Sequence, residues 1–182
     1  MRFRSAALAL APALLVAALA APIADAQAQK KKPAAKEAAT AKPEWRFVRR
    51  ANAPTLVYGA GAEDFQISFS CQPDTGLLRI VAQIGSRGLQ PGDGAAIRLL
   101  NGKSRFEFAG TAFSAETRKD VDIGGATRFD PDLFVLFKGG ETLVVEVPGR
   151  KRSLPIQNAG PSADAFQKAC SATAVAARPA AG

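Results

Sequence analysis

Histidine is absent from the 182 residues, and the chain has only two cysteines, one tryptophan, one tyrosine and one methionine. Without imidazole it can build neither a Ser-His-Asp nor a Cys-His catalytic set, nor an H-E-x-x-H metal site. Two thiols without a histidine fall short of the usual zinc shell. The cysteines are not vicinal and form no C-x-x-C, so no redox-exchange motif is present. A dinucleotide loop is missing too. Gly59-Ala60-Gly61-Ala62 has Asp64 where the third glycine is needed, and no long helix follows. Asp120-Val121-Asp122-Ile123-Gly124-Gly125 begins like a calcium loop, but its twelfth position is Pro131 rather than a bidentate glutamate. A looser calcium site on Asp120, Asp122 and Asp130 is the alternative that remains. The expectation is a chain with no cofactor, no metal and no catalytic residue set.

The start of the chain is more informative. Arg2 and Arg4 precede an apolar run from Ala6 to Ala21, broken by Pro12, and then Ala24-Asp25-Ala26. Positive charge, a short apolar run and an A-x-A site in that order define a secretory signal peptide. Residues 1–26 are therefore read as the signal, with Ala26-Gln27-Ala28 offering a second cleavage site. The run is shorter than the ~20 residues of a spanning helix. No cysteine lies at the cleavage point, and no Arg-Arg pair precedes the run, so neither a lipoprotein anchor nor twin-arginine export is expected. The alanine-rich composition points to a periplasmic address. No transmembrane segment is expected after cleavage.

Net charge is +8, and its distribution matters more than its size. Residues 27–50 hold eight basic side chains against Glu37 and Glu44, whereas residues 51–182 hold 14 basic and 13 acidic. The basicity is thus local. Residues 27–43 contain no aromatic or large aliphatic residue, so they cannot offset the entropy of ordering and read as a disordered Ala/Lys/Pro linker. Lys30, Lys31, Lys32, Lys36 and Lys42 are the candidate contacts to an anionic envelope surface, at about 1 kcal/mol each. A solvated spacer is the plainer alternative. Nucleic acid is not expected, because no aromatic stacking platform accompanies the lysines.

Residues 44–172 read as one β-rich domain, with 173–182 as a disordered tail. Phe65, Ile67, Phe69 and Cys71 alternate with polar residues, which predicts a strand with one buried face. Gln72-Pro73-Asp74-Thr75-Gly76 turns it into Leu78, Ile80, Ala82 and Ile84. Gly85 to Gly94 reads as a loop. Asn101-Gly102, between Ala95–Leu100 and Arg105–Phe108, is a strong hairpin signal. Trp45 and Phe47, Leu56–Tyr58, Val121–Ile123, Thr142–Val147 and Leu154–Ile156 are further strand candidates. Asp130-Pro131-Asp132 is a helix start, Leu133–Lys138 one or two turns, and Gly139-Gly140 a stop. Gly160-Pro161 opens a C-terminal helix. The pattern predicts an antiparallel sandwich or partly open barrel of seven or eight strands with two short helices. Trp45, Phe47, Tyr58, Phe65, Phe69, Phe106 and Phe108 are expected in its core.

Cys71 and Cys170 form the one possible pair, and an oxidising compartment favours their disulfide. It would pin the last helix to the sheet. Two weaker chemical readings remain. Glu116, Asp120, Asp122, Asp130 and Asp132 cluster in sequence and could serve a carboxylate-dependent hydrolase of envelope polysaccharide. Gly149-Arg150-Lys151-Arg152 reads as an exposed hairpin tip that could grip phosphate or carboxylate groups.

The segment DPDLFVLFKGGETLVVEVPGRKRSLPIQNAGPSADAFQKAC, from Asp130 to Cys170, resembles the closing part of small periplasmic proteins of the invasion-associated locus B type. The shared marks are Gly140, Leu143 and Val145, then Leu154-Pro155-Ile156, then Phe166 and Cys170, with Trp45 as an early tryptophan. The chain departs from that family in having only two cysteines. The resemblance implies an exported β domain with an accessory or envelope role and no enzyme activity. The favoured expectation is accordingly a periplasmic accessory or binding protein whose partner is a protein or an envelope polymer.

Overall fold

Nine strands form one antiparallel sheet in the order β1-β2-β3-β4-β7-β6-β5-β8-β9 in a computed structural model, which describes residues 41–50, 53–61, 64–72, 74–115 and 120–176, with side chains to 172. The strands are β1 Glu44–Arg50, β2 Ala53–Gly59, β3 Phe65–Gln72, β4 Leu77–Ser86, β5 Gly94–Asn101, β6 Ser104–Ser114, β7 Val121–Arg128, β8 Thr142–Val147 and β9 Arg150–Pro155. A 3-10 helix, Pro131–Phe137, separates β7 from β8, and helix α1, Gly160–Ala176, closes the fold. All described residues belong to one compact unit, Ala38–Gly182.

The mainly β expectation holds, with nine strands rather than seven or eight. The last strand candidate, Leu154–Ile156, falls at the end of β9, which starts earlier than expected, at Arg150. Arg150, Lys151 and Arg152 are not a hairpin tip as expected; they pair with Val147, Glu146 and Val145 inside the sheet. The turn itself is Pro148-Gly149. β4 and β7 also reach further than the apolar patterns indicated, so Gly85 and Ser86 belong to a strand and not to the loop.

Local sequence explains most of the elements. Gly76 adopts φ +64° and donates its amide to the Gln72 carbonyl at 2.9 Å, making the β3–β4 turn. Asn101 pairs with Ser104 across Gly102-Lys103, the expected hairpin. The side chain of Asp130 accepts from the Asp132 amide at 2.9 Å with Pro131 at the helix start, which caps the 3-10 helix. α1 buries Ala163, Phe166 and Cys170 along one stripe and runs to Ala176, beyond the end expected near Ala172.

The sheet wraps around one core. β4 touches β8 and β9 as well as its ladder partners β3 and β7. The sheet's first and last strands also meet: the Trp45 indole donates to the Pro155 carbonyl at 2.8 Å. Inside lie Trp45, Tyr58, Phe69, Phe137, Phe134 and Phe166, ring against ring from 5.0 Å (Trp45–Phe137) to 6.4 Å (Trp45–Phe69). Phe108 is buried, and Phe47 and Phe106 pack at the core margin. Cys71 and Cys170 are joined by a disulfide, with Cα atoms 5.7 Å apart, both almost fully buried. The bridge fixes α1 to β3 as the pairing argument predicted.

Candidate functional site

Side chains of a strand alternate between faces, so the residues between the core positions of β2, β3, β4 and β7 share the outer face. In register across the strands these are Thr55, Ser70 and Arg79, then Ser68, Val81 and Gly124. They floor an open groove of about 800 Å³. Its walls include Arg50, Asp64 and Phe65 on one side and Phe113, Ser114 and Asp122 on the other. The floor is built of hydroxyls, one valine and the Arg79 guanidinium, with Gln66 and Gln83 alongside.

A β-bulge makes the first wall. Tyr58 faces Ile67, but the next residue, Gly59, faces Phe65, so β3 carries one extra residue there. An extra residue reverses the alternation. Phe65 therefore leaves the core, against the sequence expectation, and lines the groove. Its absence from the core cluster corrects that assignment. Gly59 is required at this crossing, since a Cβ would run into the backbone of Asp64 and Phe65. The Arg50 guanidinium lies 5.9 Å from the centre of the Phe65 ring, a cation–π contact.

Opposite, Phe113 stands beside Gly124, where a Cβ would come within 3.2 Å of the ring. The missing side chain lets the ring settle against the sheet. Thr55 Oγ1 lies 3.3 Å from the Ala53 carbonyl and 2.9 Å from Ser70 Oγ. With the Thr55 proton directed at Ala53, Ser70 donates to Thr55 and keeps lone pairs of its own oxygen as acceptors. Asp122 is buried and accepts the Gly85 amide at 3.3 Å.

The carboxylates that cluster in sequence separate by role. Asp120 pairs with Arg150 at 3.2 Å, Asp122 holds Gly85, and Asp130 caps the 3-10 helix. Glu116 lies outside the described residues, as do Lys30, Lys31, Lys32 and Lys36. Lys42 is described and exposed. Among the described residues no three His, Cys, Asp or Glu side chains could together hold a metal ion, so the looser calcium site on Asp120, Asp122 and Asp130 does not form.

A second cleft, of about 560 Å³, lies over Ala96, Arg98, Glu146 and Gly149–Lys151. It is crossed by a row of alternating charge in register, Glu107, Arg98, Glu146, Lys151. Arg98 and Arg105 reach Glu107 at 2.8 and 3.1 Å, and Lys151 reaches Glu146 at 2.8 Å. Hydrogen bonds from Arg98 and Arg105 hold the Glu107 carboxyl below the usual glutamate range, and the bond from Lys151 does the same for Glu146. Arg150 and Lys151 thus have carboxylate partners, which weakens the phosphate-grip reading of that segment.

Sequence reasoning missed the groove residues Thr55, Ser68, Ser70, Arg79 and Phe113. Their signal was present in the outward positions of β3, which read Gln66, Ser68, Ser70 rather than the lysines and glutamates of an ordinary solvated face. The fold and site define a class: a disulfide-closed, mainly β domain with a polar groove on the outer face of its sheet. Family models, curated proteins and solved structures yield no match to the chain. Among the described residues no helix is long and apolar enough to cross a membrane.

Proposed function

We propose that this chain is an exported, non-catalytic binding module of the bacterial envelope, which holds its ligand in the outer groove and is tethered by its basic N-terminal segment. One observation carries the reading: the outer face of β2, β3, β4 and β7 is a groove floored by hydroxyl side chains and walled by two phenylalanines. A few placed polar groups in a concave surface with aromatic walls is the chemistry of a binding site. The secretory pattern of residues 1–26 and the Cys71–Cys170 disulfide support a periplasmic address. The resemblance of residues 130–170 to the locus B type is in keeping with an accessory role.

The test is cosedimentation of the full chain with purified envelope fractions at low and high salt. Two variants accompany it: one with Lys30, Lys31, Lys32, Lys36 and Lys42 changed to Gln, and one with Arg79→Glu in the groove. The proposal predicts binding that weakens with salt in the wild type, survives in part without the lysines, and with Arg79→Glu keeps only its salt-sensitive part. Sedimentation unaffected by Arg79→Glu would remove the groove from the mechanism. Release of soluble sugars from envelope polysaccharide at high protein concentration would replace this reading with the hydrolase one.

A further inference from the structure

Resting on the groove reading above, we infer that its ligand is an acidic polysaccharide, with Arg79 as the anchor for a carboxylate. Arg79 is exposed on β4, near the middle of the sheet, in register between Ser70 and Ala126. No described residue forms a hydrogen bond or ion pair with it, in contrast to Arg98, Arg105, Arg150 and Lys151 across the sheet. A guanidinium offers a planar fork that fits a carboxylate in a bidentate manner. The small neighbour Ala126 leaves its flank open, and Ser70 supplies an acceptor beside it.

The rest of the groove matches sugar rings. Ser68 and Gln66 can exchange hydrogen bonds with hydroxyl groups of either polarity, and Ser70 can accept one. Phe65 and Phe113, turned outward by the bulge and by Gly124, offer apolar rings to the C–H faces of a pyranose. The groove is open rather than enclosed, which suits an internal stretch of a polymer better than a small molecule held on most sides.

Two other polymers fit less well. An extended peptide docks by adding a strand to a free sheet edge. The floor strands β2, β3, β4 and β7 are each paired on both sides, so the groove presents no edge. Nucleic acid needs several phosphate-neutralising cations. Among the described lining residues there are two cations, Arg50 and Arg79, too few to track a phosphate backbone.

The experiment is affinity electrophoresis of the full chain, with the five linker lysines changed to Gln, through gels containing polygalacturonate, its methyl ester, or dextran. Retardation is expected on polygalacturonate, less on the ester and none on dextran. Arg79→Ala should raise the dissociation constant about tenfold, the loss that goes with one charge-assisted hydrogen bond. Arg79→Lys should recover part of it, and Arg152→Ala, outside the groove, should change nothing. Thermal unfolding of each variant checks that it folds. Equal retardation by acid and ester, with Arg79→Ala unchanged, would overturn the acidic ligand. If no polysaccharide retards the chain while Arg79→Glu still removes the salt-resistant envelope binding, the ligand is of another class and the groove stands. If envelope binding ignores every groove variant, the groove reading fails together with its ligand.

Discussion

The indole of Trp45, on the first strand, donates its proton to the carbonyl of Pro155, on the last, at 2.8 Å across 110 residues of chain. A second bond closes the same seam, from the Ser162 hydroxyl of α1 to the Trp45 carbonyl at 3.3 Å. The two edges of an otherwise open sheet are thereby joined through one side chain.

Trp45→Phe keeps most of the ring but removes the donor and leaves the Pro155 carbonyl without it. A loss of about 2 kcal/mol is expected, from the unpaired acceptor and the smaller ring. Hydrogen exchange should quicken first in β1 and β9. Uniform loss of protection over all strands would show that the seam is not a separate weak point.

Removing the disulfide with Cys71→Ala and Cys170→Ala opens a covalent loop whose ends are 99 residues apart. The chain-entropy model gives a cost of about 4–5 kcal/mol. Urea unfolding with and without reductant measures it. A wild type whose midpoint ignores reductant, while both thiols react with a maleimide, would contradict this assignment.

The row Glu107–Arg98–Glu146–Lys151 makes stability depend on pH. Both glutamates have folded-state values below their unfolded ones, so their contribution is present above the ordinary glutamate range and is lost as pH falls through the folded values. The groups are exposed, so the effect is modest and fades with salt. Urea midpoints between about pH 5 and pH 3 should fall less steeply in Glu107→Gln than in the wild type at low salt. Parallel slopes would exclude the pairing as the cause.

Asn101 has a second task besides its turn. Its side-chain amide donates to the Leu136 carbonyl at 2.8 Å and to the Gly139 carbonyl at 2.7 Å, closing the end of the 3-10 helix. Asn101→Ala should cost about 1–3 kcal/mol, since two carbonyls lose their donor. Asn101→Asp should be no better, because a carboxylate cannot donate. Recovery of full stability in Asn101→Asp would point to the turn alone.

Much of the fold could be read from local pattern. The hairpins at Gly76 and Gly102, the Asp130 cap, the stop at Gly139 and the Cys71–Cys170 pair all follow from neighbouring residues or from counting. What could not be read is non-local. The β5–β6 hairpin inserts between β7 and β8, so that β7 returns to lie beside β4. No periodicity encodes that order. The groove depends on it, because Ser70, Arg79 and Asp122 share a surface only once the order is set. Phe65 was misplaced for a different reason. Its alternation with Ile67 and Phe69 is genuine in the sequence, and a bulge that breaks it leaves no mark beyond the glycine at 59.

The order in which the cysteines leave the ribosome now acquires meaning. Cys71 emerges well before Cys170, and at about 5–20 residues per second the interval is on the order of 5–20 seconds. Throughout it the earlier thiol has no correct mate, and it sits in an aromatic-flanked strand whose covering helix does not yet exist. In an oxidising compartment a Cys71 thiol left without Cys170 is open to coupling with a stranger. Maturation is therefore sealed by its final helix, and a polypeptide truncated before Cys170 would carry an unsatisfied thiol as a mark of its incompleteness.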